Sequence, residues 1–243
     1  MFTFFKTSKP RLIDLINKEY VDIHSHILPG IDDGPKNIFE SDNLISNMLD
    51  IGFNSLIATP HTISGVWNNT PETIKDSFSK LKFSLKKNSK IKVASEYLLD
   101  NFFFENISKK NFLCLKDNYL LVELSYYQPP VNLFEILFEL QVNGYIPVLA
   151  HPERYNYYFD DMSKIEKLKK AGCYLQLNLL SVVGYYGVNV LNMARKLINS
   201  NLIDFVGSDI HNTRQLKYFD KRVLLKNVKI LEKVINLNQK FQN

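Results

Sequence analysis

Short apolar runs alternate with longer amphipathic stretches from residue 20 onward, and this rhythm constrains the fold more than any other feature. The expected strands are Tyr20–His24, Ser55–Thr59, Lys92–Glu96, Tyr119–Leu124, Ile146–Ala150, Tyr174–Asn178 and Asp204–Gly207. Most are rich in Val, Ile, Leu and Tyr and are bounded by polar or turn residues. Helical patterns fill the gaps at Asn37–Ile51, Pro71–Lys87, Asn132–Asn143, Lys164–Ala171 and Asn189–Asn199, with a last one at Lys221–Asn238. Thr70-Pro71-Glu72 offers an N-cap followed by Pro at the first helical position, and Gly52, Gly144 and Gly172 each follow a helix. Repeated strand–helix alternation calls for parallel strands joined by right-handed crossovers. The expectation is therefore a single α/β domain over residues 20–243, built as a closed or nearly closed β/α barrel of about seven units. An open doubly wound sheet is the alternative, and in either case ligands gather beyond the carboxyl ends of the strands. Residues 1–19 form an N-terminal extension that either packs on the domain as a helix, the favoured reading, or tethers a partner.

With 243 residues, 45% of them hydrophobic, the chain can bury one sizeable core without dividing. Its net charge is +5, but no Lys/Arg run is long enough to form a nucleic-acid stripe. Lys86-Lys87 and Lys169-Lys170 fall in helical patterns and read as solvated faces. Cys114 and Cys173 sit apart among apolar residues, as small buried hydrophobes do in a reducing compartment. No apolar stretch reaches transmembrane length, and Met1–Lys6 leads into no signal-peptide h-region. A cytoplasmic protein without membrane insertion is expected.

All five histidines lie at or just past the end of an expected strand: His24, His26, His61, His151 and His211. His24 and His26 are two apart in extended backbone, so both imidazoles can face one ion. Asp209 and His211 repeat that spacing. A single histidine near an apolar run is ordinarily a satisfied structural residue. The joint placement is what points to a site, because scattered histidines would also fall on helix faces and strand starts.

Carboxylates share the same zone. Glu96 ends one expected strand, and Glu123 sits inside Leu121-Val122-Glu123-Leu124, where a carboxylate is costly unless paired with a cation. Asp32 and Asp33 lie in a Gly/Pro turn that could by itself account for them. A donor set of imidazoles and carboxylates without thiolate suits Mn, Fe or Zn at a catalytic centre. Clustered divalent ions serve hydrolysis by lowering the pKa of a shared water and drawing charge off phosphoryl oxygens. Arg154, three residues after His151, suits a phosphate clamp; Arg214, three after His211, is the weaker candidate. Tyr126-Tyr127, Tyr155, Tyr157-Tyr158 and Tyr185-Tyr186 follow expected strands and either line a cleft or pack the loops.

The stretch Asp22-Ile23-His24-Ser25-His26-Ile27-Leu28-Pro29-Gly30-Ile31-Asp32-Asp33-Gly34-Pro35 resembles the opening signature of the bacterial capsule-associated tyrosine phosphatases of the PHP superfamily. Thr59-Pro60-His61, Ala150-His151-Pro152-Glu153-Arg154-Tyr155 and Ser208-Asp209-Ile210-His211-Asn212 resemble the family's later motifs, in the family's order. The resemblance implies a distorted (β/α)7 TIM-like barrel, the PHP fold, holding three divalent ions, usually manganese. It implies that His24, His26, Glu96 and Asp209 hold the first ion. Glu96 bridges to a second, completed by Glu123 and His151, and Asp33, His61 and His211 hold the third. Arg154 matches the phosphate-binding arginine; Arg214 comes earlier than the family's second arginine and lacks its following proline. The implied substrate is phosphotyrosine on the tail of a bacterial tyrosine autokinase that governs capsule and exopolysaccharide synthesis. A PHP phosphatase of a small monoester such as histidinol phosphate, a PHP nuclease and a non-catalytic, metal-bound module that recognises such a tail are the rival readings.

Overall fold

A computed structural model gives the structure, which describes residues 9–83, 85, 90–109 and 111–242. The aromatic Met1–Lys6 stretch, Lys86-Lys87 and the end of the expected Pro71–Lys87 helix lie outside the described residues. The elements follow the expected rhythm: β1 (Val21–Ser25), α1 (Ile38–Asp50), β2 (Ser55–Ala58), β3 (His61–Thr62), α2 (Pro71–Lys82), β4 (Lys90–Val93), β5 (Glu96–Leu98), α3 (Asn101–Glu105), β6 (Tyr119–Glu123), α4 (Leu133–Val142), β7 (Ile146–Ala150), α5 (Ser163–Lys170), β8 (Tyr174–Asn178), α6 (Val188–Asn199), β9 (Phe205–Gly207), α7 (Thr213–Leu216) and α8 (Val228–Leu237). Local chemistry sets several ends. Thr70 caps α2 in a reciprocal box with Thr73, and Pro71 occupies the first turn, where no N–H is needed. Gly172 ends the α5 region at φ +85°, a backbone angle that strains other residues.

Every strand pairing within the two sheets is parallel, as the alternation requires. One sheet runs β1-β2-β4 and the other β3-β5-β6-β7-β8-β9. The split falls at two breaks, one at the end of the expected Ser55–Thr59 strand and one inside the expected Lys92–Glu96 strand. Thr59-Pro60 separates β2 from β3, and Ala94-Ser95 separates β4 from β5. Pairing is carried across the break by Ala94 N–H donating to Ala58 O (2.8 Å) and Glu96 N–H to Pro60 O (3.1 Å).

β1 also lies against β9, through a seam made differently from the ladders. Asn238 Nδ2 donates to Val21 O (2.8 Å) and Val206 O (2.7 Å). Higher up, Ser208 N–H and Oγ donate to the two oxygens of Asp22 (2.8 and 2.5 Å). At the top, Asp209 N–H donates to His24 O (2.7 Å) and His26 N–H to Ile210 O (2.9 Å).

Strands buried on both faces need apolar residues at successive positions. Leu120 and Val122 of β6 enter the larger core cluster, while Tyr119 and Leu121 enter a second one with Val21, Ile23, Val148 and Phe205. Of the extension, residues 9–19 are described. Ile13–Leu15 form one 3₁₀ turn, Leu12 and Leu15 are buried, and Leu12 N–H donates to Lys221 O (2.9 Å). That contact explains a departure at the other end of the chain. The expected helix at Lys221–Asn238 begins only at Val228, because residues 221–224 are committed elsewhere. Arg222 bridges to Arg11, Val223 N–H donates to Pro10 O, and Leu224 N–H donates to Val182 O. No helix among the described residues is long and apolar enough to cross a membrane.

Candidate metal centre

The carboxyl ends of the strands bring the nine expected ligands together. His24 lies in β1 and His26 just past it; His61 is in β3, Glu96 opens β5 and Glu123 ends β6. His151 follows β7, Asp209 and His211 follow β9, and Asp33 reaches in from the turn after β1. Their donor atoms form four overlapping groups, each within 4.8 Å: His26, Asp33, His61 and His211; His24, His151 and Asp209; His24, His26 and Glu96; and His61, Glu96 and Glu123. His24, His26 and Glu96 are wholly buried, and the Asp33 carboxylate, 55% exposed, marks the open side.

The distances identify Glu96 as the hub. Its Oε2 lies 3.2 Å from His24 Nε2, 3.4 Å from His26 Nε2 and 3.1 Å from His61 Nδ1, while its Oε1 lies 3.1 Å from His151 Nε2. Asp209 Oδ1 stands 3.3 Å from His26 Nε2, and Glu123 Oε1 stands 3.0 Å from His61 Nδ1. His26 and His211 stack with centroids 3.9 Å apart. Despite this crowding, His61 Nδ1, His151 Nδ1 and Glu96 Oε2 have no hydrogen-bond partner. Buried polar atoms left this way are costly, and a cation is what imidazole and carboxylate donors would share. The residues fit a cluster of divalent ions.

The charges push neighbouring groups apart. Against the cost of burial, His24 and His61 hold the Glu96 carboxyl well below the usual range. Burial, reinforced by the charge of Glu96, pushes Glu123 up. Burial and then Arg154 lower His151 to about 4, which keeps its imidazole neutral, the form that binds metal. Asp33 falls to about 2 despite partial burial, because His211 bonds to it.

A surrounding layer fixes the rings. His24 Nδ1 bonds to Gln176 Oε1 (2.8 Å), His26 Nδ1 to Asp32 Oδ2 (2.8 Å) and His211 Nδ1 to Asp209 O (3.0 Å). Each contact engages one ring nitrogen and leaves Nε2 facing the cluster. Asn178 Nδ2 donates to Asp209 Oδ2 and to the Tyr186 hydroxyl, both at 3.0 Å. Turn chemistry alone accounts for Asp32 in the sequence, and Gln176 and Asn178 are not among the expected site residues. The signal that flagged Glu123, a polar side chain inside an apolar strand, was present at both. Glu153, in the turn after β7, is buried beside them: burial lifts it to about 7, and its Oε1 accepts from Asn178 N–H and Ser181 Oγ.

The backbone is shaped for the same purpose. His151 and Asp209 both sit in the left-handed region, at φ +37° and +52°, which costs residues other than glycine about 1–3 kcal/mol. At Gly207 an added Cβ would fall 2.6 Å from the Cβ of His24 and 2.8 Å from Gln176 Nε2, so only glycine lets β9 approach this closely.

The cluster opens into a cavity of about 360 Å³ whose walls include Tyr126, Arg154, Tyr185, Tyr186, Asn212 and Gln215. Arg154 Nη1 is 2.5 Å from Asp209 Oδ2, and its guanidinium lies 4.3 Å from the Tyr186 ring centroid and 5.1 Å from that of Tyr126. Arg214 is exposed on α7 and does not line this cavity; the next residue, Gln215, does.

A parallel α/β fold with a buried histidine–carboxylate cluster at its strand ends defines a metal-dependent hydrolase. The chain belongs to the CpsB/CapC family of capsular polysaccharide synthesis, whose sequence profile matches residues 20–232. It is 32% identical over 211 residues to CapC of Staphylococcus aureus, covering 84% of this chain and 81% of that one. It is 31% identical over 208 residues to the tyrosine-protein phosphatase YwqE of Bacillus subtilis, covering 84% and 82%. Among solved structures it resembles one from a study of YwqE and Streptococcus pneumoniae CpsB, described as metal-dependent tyrosine phosphatases. The TM-score is 0.77 at 28% identity, covering 92% of this chain and 95% of that one. A histidinol phosphate phosphatase from Lactococcus lactis shares the fold, with a TM-score of 0.51 at 11% identity, over 92% of this chain and 94% of that one.

Proposed function

We propose that this protein hydrolyses phosphotyrosine on protein with a cluster of divalent metals, its substrate being the tyrosine-rich tail of a bacterial tyrosine autokinase in capsule or exopolysaccharide synthesis. The observation that carries this reading is the convergence of nine side chains in four overlapping donor groups, with Arg154 across the mouth. Three ions, manganese before iron or zinc, would be held by His24, His26, Glu96 and Asp209; by Glu96, Glu123 and His151; and by Asp33, His61 and His211. When bound, they would activate water for attack and offset charge on the phosphoryl group.

The chain's own side chains do the rest. Arg154 is placed to clamp phosphoryl oxygens through the N–H groups that Asp209 leaves free. Burial raises the Tyr126 and Tyr186 phenols, so both stay protonated and present O–H donors to an anion. The Tyr126 and Tyr185 rings flank the opening where an aromatic ester would enter. Phenolate is a fair leaving group, with a conjugate acid of pKa about 10, so little help from a general acid is needed. Arg214 serves as a charge on the rim.

We read the two sheets and the β1–β9 seam as a distorted (β/α)7 barrel within one domain of residues 20–243, against which residues 9–19 of the extension lie. We place the protein in the cytoplasm. Metal analysis of purified protein, joined to a panel of phosphotyrosine peptide, histidinol phosphate and single-stranded DNA with manganese, tests the reading. Turnover of the phosphopeptide is expected; selective turnover of either other substrate overturns the substrate assignment. Phosphopeptide binding without turnover across several metals would make the protein a recognition module.

A further inference from the structure

A groove of about 390 Å³ lies beside the loop that carries Tyr126, lined by Pro129, Pro130, Leu133, Phe134, Tyr157 and two cations, Lys164 and Lys167. Tyr126 borders the metal-centre cavity and Pro129 borders the groove. They are three positions apart, so their Cα atoms are at most about 11 Å apart. The connecting loop is held in place. Tyr157 OH donates to Ser125 O (2.9 Å), and the Tyr126, Tyr155 and Tyr157 rings follow one another at 5.5 and 5.6 Å.

The composition of the groove selects an occupant. Two prolines offer no N–H, and the walls are rigid and apolar. Lys164 and Lys167 are exposed one turn apart on α5, and no carboxylate lines the groove among the described residues. The apolar surface continues from Val131, 103% exposed, along α4, where Phe134, Phe138 and Val142 recur at helical spacing and remain 50%, 60% and 64% exposed. Asp161 faces both lysines, so a neutral apolar partner would leave one of the two positive charges unmatched. An extended phosphotyrosine peptide with apolar and acidic residues beside the phosphate would match both features, and three extended residues span roughly the distance from mouth to groove.

We propose that this groove docks the peptide segment flanking the phosphotyrosine. It seats an apolar side chain about three residues away on Pro129, Pro130 and Phe134, and pairs Lys164 and Lys167 with an acidic side chain. The proposal rests on the phosphotyrosine reading above. Its test uses the full chain and two variants, Lys164→Glu/Lys167→Glu and Phe134→Ser, with folding checked by circular dichroism. Each is assayed with manganese on p-nitrophenyl phosphate and on a long phosphotyrosine peptide carrying acidic and aromatic flanks. We expect KM for the long peptide to rise roughly tenfold in the charge-reversed variant, with p-nitrophenyl phosphate turnover unchanged. Unchanged KM, or an equal loss on both substrates, overturns the groove. So does conversion of a dimer to a monomer by either variant, which would give the face to a second copy. If the parent turns over neither substrate, the phosphatase reading alone falls. Fluorescence anisotropy of the labelled long peptide still reads the groove: weaker binding in the variants supports it, and equal binding overturns it.

Discussion

Arg154 donates to Asp209 Oδ2 at 2.5 Å while Asp209 Oδ1 faces His24 and His26, so one carboxylate joins the mouth of the site to its buried floor. A substrate anion that engages Arg154 therefore competes for a cation already neutralised from below, and the guanidinium must serve both sides at once.

Arg154→Lys keeps the charge but loses the planar fork. A charge-assisted hydrogen bond contributes about 1.5–3 kcal/mol, so kcat/KM on phosphotyrosine peptide should fall roughly 10- to 100-fold. Metal content by plasma emission should stay at the parent level, and its loss would recast Arg154 as a support for Asp209. Arg214→Ala, outside the cavity wall, should change kcat/KM less than about threefold, the scale of an exposed charge.

Gln176→Ala removes the oxygen that engages His24 Nδ1. Supports of this kind hold metal affinity within about 10- to 100-fold, so calorimetric manganese affinity should weaken by that order with the fold intact. Equal affinity in the two proteins would show that Gln176 does not orient the ring.

Gly207→Ala forces a methyl group onto the Cβ of His24. Overpacking of this kind costs about 1–3 kcal/mol, so the melting temperature should drop even in chelator. A melting curve matching the parent's would mean that β9 can retreat at no cost.

His151→Ala and Asp209→Ala each remove a donor from the cluster. A ligand at a hundredfold its Kd stabilises by about 2.7 kcal/mol, so manganese should raise the parent's melting temperature measurably. Both variants should lose most of that rise together with turnover, as scanning fluorimetry and the peptide assay would show.

Burial raises the Cys173 thiol to about 12 and the Cys114 thiol to about 11. A folded-state pKa above the unfolded value near 9 gives stability that is complete below pH 9 and is lost as pH rises through 11 to 12. Native protein at pH 8 should resist alkylation of both thiols, whereas unfolded protein should react at both. Rapid native labelling of Cys173 would contradict the burial argument.

The fold was legible where one period dominates. Ile146–Ala150 and Tyr174–Asn178 match the expected bounds residue for residue, because each opens two residues after a helix-ending glycine, Gly144 or Gly172. Legibility fails where distant residues decide. Lys92–Glu96 breaks at Ala94-Ser95, where the Ser95 hydroxyl is engaged by Pro60 O and Thr62 Oγ1, partners no local pattern announces. Residues 221–227 carry a helical pattern, yet the backbone at 221–224 bonds to residues 10–12 and 182 instead. In the site, the ligand types and their strand-end positions could be read directly. Gln176 and Asn178 show in sequence only as polar residues in an apolar strand; their partners, a ring and a carboxylate more than thirty positions away, do not show.

The polar seam between the first and last strands has a bearing on biosynthesis. Asp22 waits for Ser208, a partner 186 positions later, and the donors at the top of that seam come half from each end. The clasp and the ligand cluster both need Ser208, Asp209 and His211, so neither can assemble before β9 has been made and has reached β1.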